Sequence, residues 1–168
     1  MQPLVESDIR QSFGNASDGE LAQLSLPHDF VLTEWAHLDA FAWRDPRIAT
    51  RGYLVTELDG AARGVVLRAA VANGSHHRAA ICNLCHTQQP ADQVVMFSAR
   101  RAGAAGERGD SVGTDMCSDL ACQETVRLGR PAAPWELRPS VHEIERIEGV
   151  ARRTRAFVAD VLVKRSVR

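Results

Sequence analysis

The sequence predicts an α+β fold: a small antiparallel β-sheet, two cysteine pairs gathered beside it, and a long C-terminal helix. Three observations carry that expectation. The segments "GYLVTEL" and "RGVVLRAA" are rich in β-branched residues and flank "DGAA", whose Asp-Gly step signals a hairpin turn. The four cysteines fall into two groups, Cys82 with Cys85 and Cys117 with Cys122. Val141, Ile144, Ile147, Ala151, Thr154, Phe157, Val158 and Val161 recur at helical spacing, which predicts an amphipathic helix packed on the sheet.

Taken in chain order, residues 4–14 and 17–25 have weak helical patterns broken by "GNASDGE", with Ser17 or Asp18 as the expected cap of the second. The stretch "PHDFVLTEWAHLDAFAWRDP" spaces its apolar residues irregularly, so it is expected to pack onto the sheet as an ordered entry segment. After the hairpin, "NGSHHR" reads as a second turn and "AAICNL" as a third strand leading into the first cysteine pair. "QVVMFSARRA" reads as a fourth strand, and "GAAGERGDSVGT" as a Gly-rich connection. A short strand should then enter Cys117 and a helix should begin near Ser118, its first turn holding Asp119, a charge that suits a helix N-terminus. Pro131, Pro134 and Pro139 mark a stiff linker, and Ser140 with Glu143 forms a capping-box pattern at the head of the last helix.

Length and composition narrow the function classes. The chain has 168 residues, enough for one compact domain, and 45% hydrophobic residues supply a core. No apolar run approaches the length of a membrane span, and the first residues lack the basic and apolar regions of a secretory signal. A cytoplasmic protein is therefore expected. The net charge of −1 opposes strong nucleic-acid binding by the molecule as a whole. Its distribution is uneven: residues 1–43 hold one arginine and seven acids, whereas residues 44–108 hold nine arginines and five acids.

The cysteines admit three readings: a redox pair with two spares, two disulfides, or one metal site. A C-x₂-C turn between two strands aims both sulfurs at one point, and a second pair at a strand-to-helix junction closes a tetrahedron suited to Zn²⁺. Cys117 should project from the helix start and Cys122 from its first turns, where the helix dipole favours thiolate. A redox motif needs a βαβ setting that the hairpins do not provide, and disulfides need an oxidising compartment. One Zn²⁺ on Cys82, Cys85, Cys117 and Cys122 is the leading expectation; with no coordination position left open, it would be structural. His86, next to Cys85, is a less favoured substitute ligand, and His76 and His77 read as surface residues in a turn.

No catalytic constellation assembles. "RAGAAGERGDSVGT" lacks the Gly-Lys-Ser/Thr ending of a phosphate-binding loop, and the serines, histidines and acids show no nucleophile signature. A non-catalytic binding module is expected, with no small-molecule substrate and no membrane contact. Phe97, Arg100, Arg101 and Arg127 offer an aromatic among arginines, a frequent composition of interface hot spots. The competing reading makes Phe97 a core residue and the arginines merely solvated.

The segments "EWAHLDAFAWRDP", "RGYLVTELDGAARGVVLRAA", "AAICNLCHTQ", "VVMFSARRAGAAGERGDSVGT" and "MCSDLACQETVRLG" together resemble the FBP-type treble-clef zinc-finger family, the C-terminal domain of FusB-type proteins. The resemblance covers about residues 28–165. It implies a treble-clef-like zinc site with four cysteine ligands, with residues 28–168 as the zinc-finger domain and residues 1–27 as a short helical N-terminal extension. It further implies binding of translation elongation factor G by the surface beside the zinc, and modulation of its release from the ribosome. FusB-type proteins protect translation from fusidic acid and carry a helical bundle before this domain, for which 27 residues are too few. The alternative function is a zinc-finger module that touches RNA or the ribosome directly.

Overall fold

The computed structural model describes residues 1–71, 77–128 and 139–163, with the side chains of the last segment described from Ile144 onward. Helix α1 (Glu6–Ser12) and helix α2 (Asp18–Ala22) open the chain. Ser17 caps α2 as expected: its hydroxyl accepts the Glu20 amide at 3.3 Å, and its own amide donates to the Glu20 carboxylate at 2.9 Å. Two 3₁₀ turns, Phe30–Leu32 and Trp35–His37, lead into strand β1 (Ala40–Arg44). The entry segment thus ends in a strand that its irregular apolar spacing did not reveal.

Strands β2 (Arg51–Leu58) and β3 (Ala61–Ala69) form the expected hairpin. Asp59 and Gly60 connect them with φ of 52° and 74°, the doubly positive pair that matches the twist of a two-residue hairpin loop. The turn expected at "NGSHHR" falls largely on residues 72–76, including His76, outside the described residues. Strand β4 (Ala79–Ile81) pairs with β5 (Gln88–Pro90) as a separate two-stranded sheet, and does not join the main one. Strand β6 (Val94–Arg100), helix α3 (Ala104–Glu107) and strand β7 (Ser111–Cys117) follow. The Gly-rich connection between these strands therefore contains a helical turn. Helix α4 (Cys122–Arg127) and helix α5 (Pro139–Leu162) complete the fold. Pro131 and Pro134 lie outside the described residues, and the pair Ser140 and Glu143 outside the described side chains.

The main sheet has five antiparallel strands in the order β1-β2-β3-β6-β7. Alternation along each strand sends side chains to two buried faces. On one face Leu54, Val65, Leu67, Val95, Phe97 and Met116 meet the cysteines and the apolar stripe of α5. On the other, Phe41, Trp43, Tyr53, Val55 and Val66 meet Ile9, Phe13 and Leu24 from the N-terminal segment. Val158 and Val161 of α5 are fully buried, and Phe157 is 8% exposed, as the stripe predicts. Ile144 departs from it at 58% exposure.

Residues 1–27 are stitched into the sheet. Asn15 is buried where β3 and β6 diverge, accepting the Val66 amide at 2.8 Å and donating to the carbonyls of Val66 and Arg100. The Glu20 carboxylate accepts from Arg68 at 2.6 Å and Arg100 at 3.1 Å, tying α2 to two strands.

Candidate metal centre

The site is built from three local structures. The first is the turn between β4 and β5, where the amides of Leu84 and Cys85 each donate to Cys82 Sγ at 3.4 Å. These bonds hold the Cys82 sulfur in place and fold the next turn of chain around it. His86, just past Cys85, has φ 56°, a left-handed conformation that reverses the chain into β5. Its side chain is exposed and the residue does not join the sulfur cluster.

The second structure is the end of β7, which supplies Cys117, and the third is α4, which begins at Cys122. The expectation that one helix carries both cysteines is corrected here. Between them Leu120 takes φ 64° and breaks any helix starting at Ser118. A bulky residue in that region is strained, and packing holds it there: Leu120 is 5% exposed and lies against Gly52, where an added Cβ would come within 2.8 Å of Leu120 Cδ1. Asp119 does not sit in the helix either; it accepts the Ala121 amide at 2.9 Å in the turn before it. The C-x₄-C spacing is thus a β-to-α corner, and its extra residues are the corner.

The four sulfurs lie within 4.8 Å of one another, with Cys82 Sγ 3.6 Å from Cys122 Sγ and Cys85 Sγ 3.5 Å from Cys117 Sγ. A disulfide would need about 2.05 Å. A tetrahedron with Zn–S bonds of ~2.3 Å has edges of roughly 3.8 Å, which this spacing fits. All four residues are buried, the most exposed at 4%. Hydrogen bonds from Cys117 lower the Cys82 thiol to about 7, and those from Cys117 and Cys122 lower Cys85 as well. Donation to Cys117 and to the first pair raises Cys122. Cys117 is also raised: acceptance from Cys122 pulls it down, but donation to Cys82 and Cys85 outweighs this. Thiols left to themselves would therefore share protons, and a dication replaces those protons with one central charge. Cys82, Cys85, Cys117 and Cys122 form a single structural zinc site.

Two supporting residues escaped the sequence reading. Gln89 Nε2 donates to Cys117 Sγ at 3.0 Å. From α5, Arg153 Nε donates to the Leu84 carbonyl at 2.6 Å, placing a guanidinium beside the sulfur cluster. Burial lowers the Arg153 pKa, Arg152 adds to the lowering, and the thiolates oppose both. Four thiolates on Zn²⁺ carry a net charge near −2, which a neighbouring cation offsets. The signal in the sequence was a charge on the buried stripe, three residues after Val150 and four before Phe157.

The residues expected to form a contact surface are not brought together. Phe97 is fully buried, with the Arg44 guanidinium 5.2 Å from its ring centroid, so it is a packing residue and no surface anchor. Register places Val94 opposite Cys117 and Arg100 opposite Ser111. Arg100 and Arg101 therefore end the strand on the side away from the metal, roughly 20 Å along at ~3.3 Å per residue. Arg101 pairs with Asp160 at 3.1 Å, and Arg100 with Glu20. Only Arg127, on α4, adjoins the zinc site, where it pairs with Asp39 at 2.7 Å. No described helix is long and apolar enough to cross a membrane.

A knuckle between β4 and β5, the β6–β7 hairpin and the start of α4 make up a treble clef around one metal. Neither the curated proteins nor the solved structures yield a match to this chain. The model of the FBP C-terminal treble-clef zinc-finger family matches residues 8–161, nearly the whole chain, and the protein belongs to that family.

Proposed function

We propose that this zinc-finger protein is a non-catalytic module that binds translation elongation factor G and modulates its release from the ribosome. The observation that carries this reading is family membership across residues 8–161, with the four-cysteine centre intact. The zinc is enclosed by four protein ligands, which favours a scaffolding role over chemistry at the metal. The surface beside it is α4, where Arg127 is half-buried and reachable. Direct RNA binding is less favoured. Arg44, Arg68, Arg100 and Arg101, which contribute to the basic middle of the chain, bond to carbonyls and carboxylates of the protein itself.

Isothermal titration of the zinc-loaded protein with purified elongation factor G tests the reading. Saturable binding is expected, weakened roughly tenfold by Arg127→Ala with zinc content unchanged. No heat and no complex at tens of micromolar protein would refute the partner. A steep loss of affinity with salt on RNA, and none of this binding, would favour the alternative.

A further inference from the structure

The main sheet has two edges, and they are treated differently. Beside β7, the Asn83 amide donates to the Asp115 carbonyl at 2.8 Å, so the knuckle covers that edge near the metal end, while Ser111 and Gly113 farther along stay exposed. At the other edge, β1 pairs with β2 alone. The Asp45 amide donates to the Arg51 carbonyl, which fixes the phase of the ladder. Alternation then turns the N–H and C=O groups of Ala40, Ala42 and Arg44 away from β2. No backbone bond among the described residues engages that side. Natural edges are commonly blunted by proline, bulges or inward charges. The strand "AFAWR" has none of these before its last residue.

A groove of about 650 Å³ runs between this edge and the segment that carries Cys122. Its lining includes the partly exposed Ala42 and the buried Ala40. Leu32 and Leu128 stand at its lips, 77% and 82% exposed. Gln123, 7% exposed, lines the wall, and its Nε2 has no hydrogen-bond partner among the described residues. Carboxylates lining the groove outnumber its arginines, four to two. Asp29, Glu34, Asp119 and Glu124 are exposed and form no ion pair among the described residues. The groove's two arginines are engaged internally, Arg44 with the Ser118 carbonyl and Arg127 with Asp39.

We infer that the outer edge of β1 receives an extended segment of a partner protein, alternating apolar and basic residues, as an additional strand of the sheet. Backbone bonds to Ala42 and Arg44, the partly exposed positions of this edge, supply the affinity, and alternate side chains supply the selection. Apolar residues enter the groove while basic residues meet the carboxylates at the rim. This goes beyond the proposed factor binding and does not depend on it, since any protein with such a segment satisfies the groove.

The test uses the full zinc-loaded chain and a capped hexapeptide of alternating valine and arginine, followed by amide NMR. Saturable shifts centred on β1 are expected, with slowed exchange at the amides of Ala42 and Arg44. The same peptide with glutamate for arginine should bind on the order of tenfold more weakly. N-methylation at alternate peptide positions should abolish binding in one phase and spare it in the other. The double variant Glu34→Gln with Glu124→Gln should weaken the arginine peptide several-fold and leave the zinc content unchanged. No saturation by millimolar peptide, equal affinity for the glutamate peptide, or shifts confined to other strands would each overturn the inference. So would edge amides already protected in the free monomer, which would mean that the chain covers its own edge. A dimer seen by sedimentation that protects the same amides would assign the edge to a second copy instead.

Discussion

The two faces of the sheet are buried by different means. The face under α5 is organised around sulfur: four cysteines, Met116 and the aliphatic stripe of the helix, with Phe97 and Phe157 as the aromatics of the cluster among the described residues. The opposite face is aromatic, with Trp43 stacked on Tyr53 at 4.8 Å and Phe13 edge-on to Tyr53 at 5.6 Å. Phe41 and the 3₁₀ residues Phe30 and Trp35 extend that stack. Aromatic packing needs no ligand, because its free energy comes from buried area and ring geometry. The sulfur face needs one, because four buried thiols gain little until a metal converts them into a crosslink. The same strands β2 and β3 serve both faces, so one half of the core depends on a cofactor that the other half does not touch.

Removing the metal should produce the largest break between the faces. Chelation, or Cys117→Ser, withdraws a binding free energy on the order of 10 kcal/mol from the half that contains the knuckle and α4. Hydrogen exchange should then show lost protection in residues 82–87 and 117–127, while strands β1 and β2 retain more of theirs. Uniform loss across the chain would mean that the two faces fold as a single cooperative unit.

Phe157→Ala and Phe13→Ala compare the faces without touching a ligand. Both rings are 8% exposed, so each truncation should cost about 3–5 kcal/mol in denaturant unfolding. The difference is expected in the metal. Phe157→Ala should speed zinc transfer to a chelator, since α5 packs over the cysteines and holds Arg153 beside them. Phe13→Ala should leave that rate unchanged. Equal acceleration in both variants would show that the faces are coupled through the strands.

A smaller effect distinguishes the aromatic face by its pH response. Asp45, 3% exposed, accepts from the Tyr53 hydroxyl at 2.7 Å and from the amides of Arg47 and Ile48. Burial pushes its carboxyl up, but these three donors and the charge of Arg51 hold it below the ordinary value of 3.8. A depressed folded-state pKa stabilises the protein above the unfolded value and loses that contribution as pH falls through the folded one. Asp45→Asn should therefore cost roughly 1–3 kcal/mol at neutral pH and less in acid below the ordinary carboxylate range. Burial and the Asp45 bond together push Tyr53 up to about 12, so its hydroxyl remains a donor throughout that window. A stability difference independent of pH would show that charge plays no part.

The smallest effect belongs to Ile144. It continues the apolar stripe of α5 in sequence yet is 58% exposed, so Ile144→Ala should change stability by less than about 0.5 kcal/mol. A loss comparable to that of Phe157→Ala would place a packing partner over this end of the helix.

Much of this molecule was legible in its residues. The Asp59–Gly60 hairpin follows from local turn chemistry, the buried face of α5 from its periodicity, and Ser17 at the cap of α2 from its hydroxyl. The ligand set was legible because only cysteines in two short clusters could supply a tetrahedral donor set. Other features required contacts between distant segments. Leu120 adopts a left-handed turn because Gly52 leaves room beneath it, and nothing near Leu120 in the chain announces that space. Arg153 becomes part of the metal site only when α5 folds back across the Leu84 carbonyl. The same holds for Asn15 and Glu20, which join the N-terminal segment to strands far along the chain. Phe97 and its neighbouring arginines read as a surface set because sequence spacing cannot say which end of a strand faces the metal. The β6–β7 register decided that, sending Phe97 inward and Arg100 to the far end. Local sequence determined the β2–β3 hairpin turn, the α2 cap and the metal-binding chemistry, since those depend on near neighbours. Tertiary structure alone decided which charges neutralised one another and which side chains flank the zinc, because each depends on pairings between residues distant along the chain.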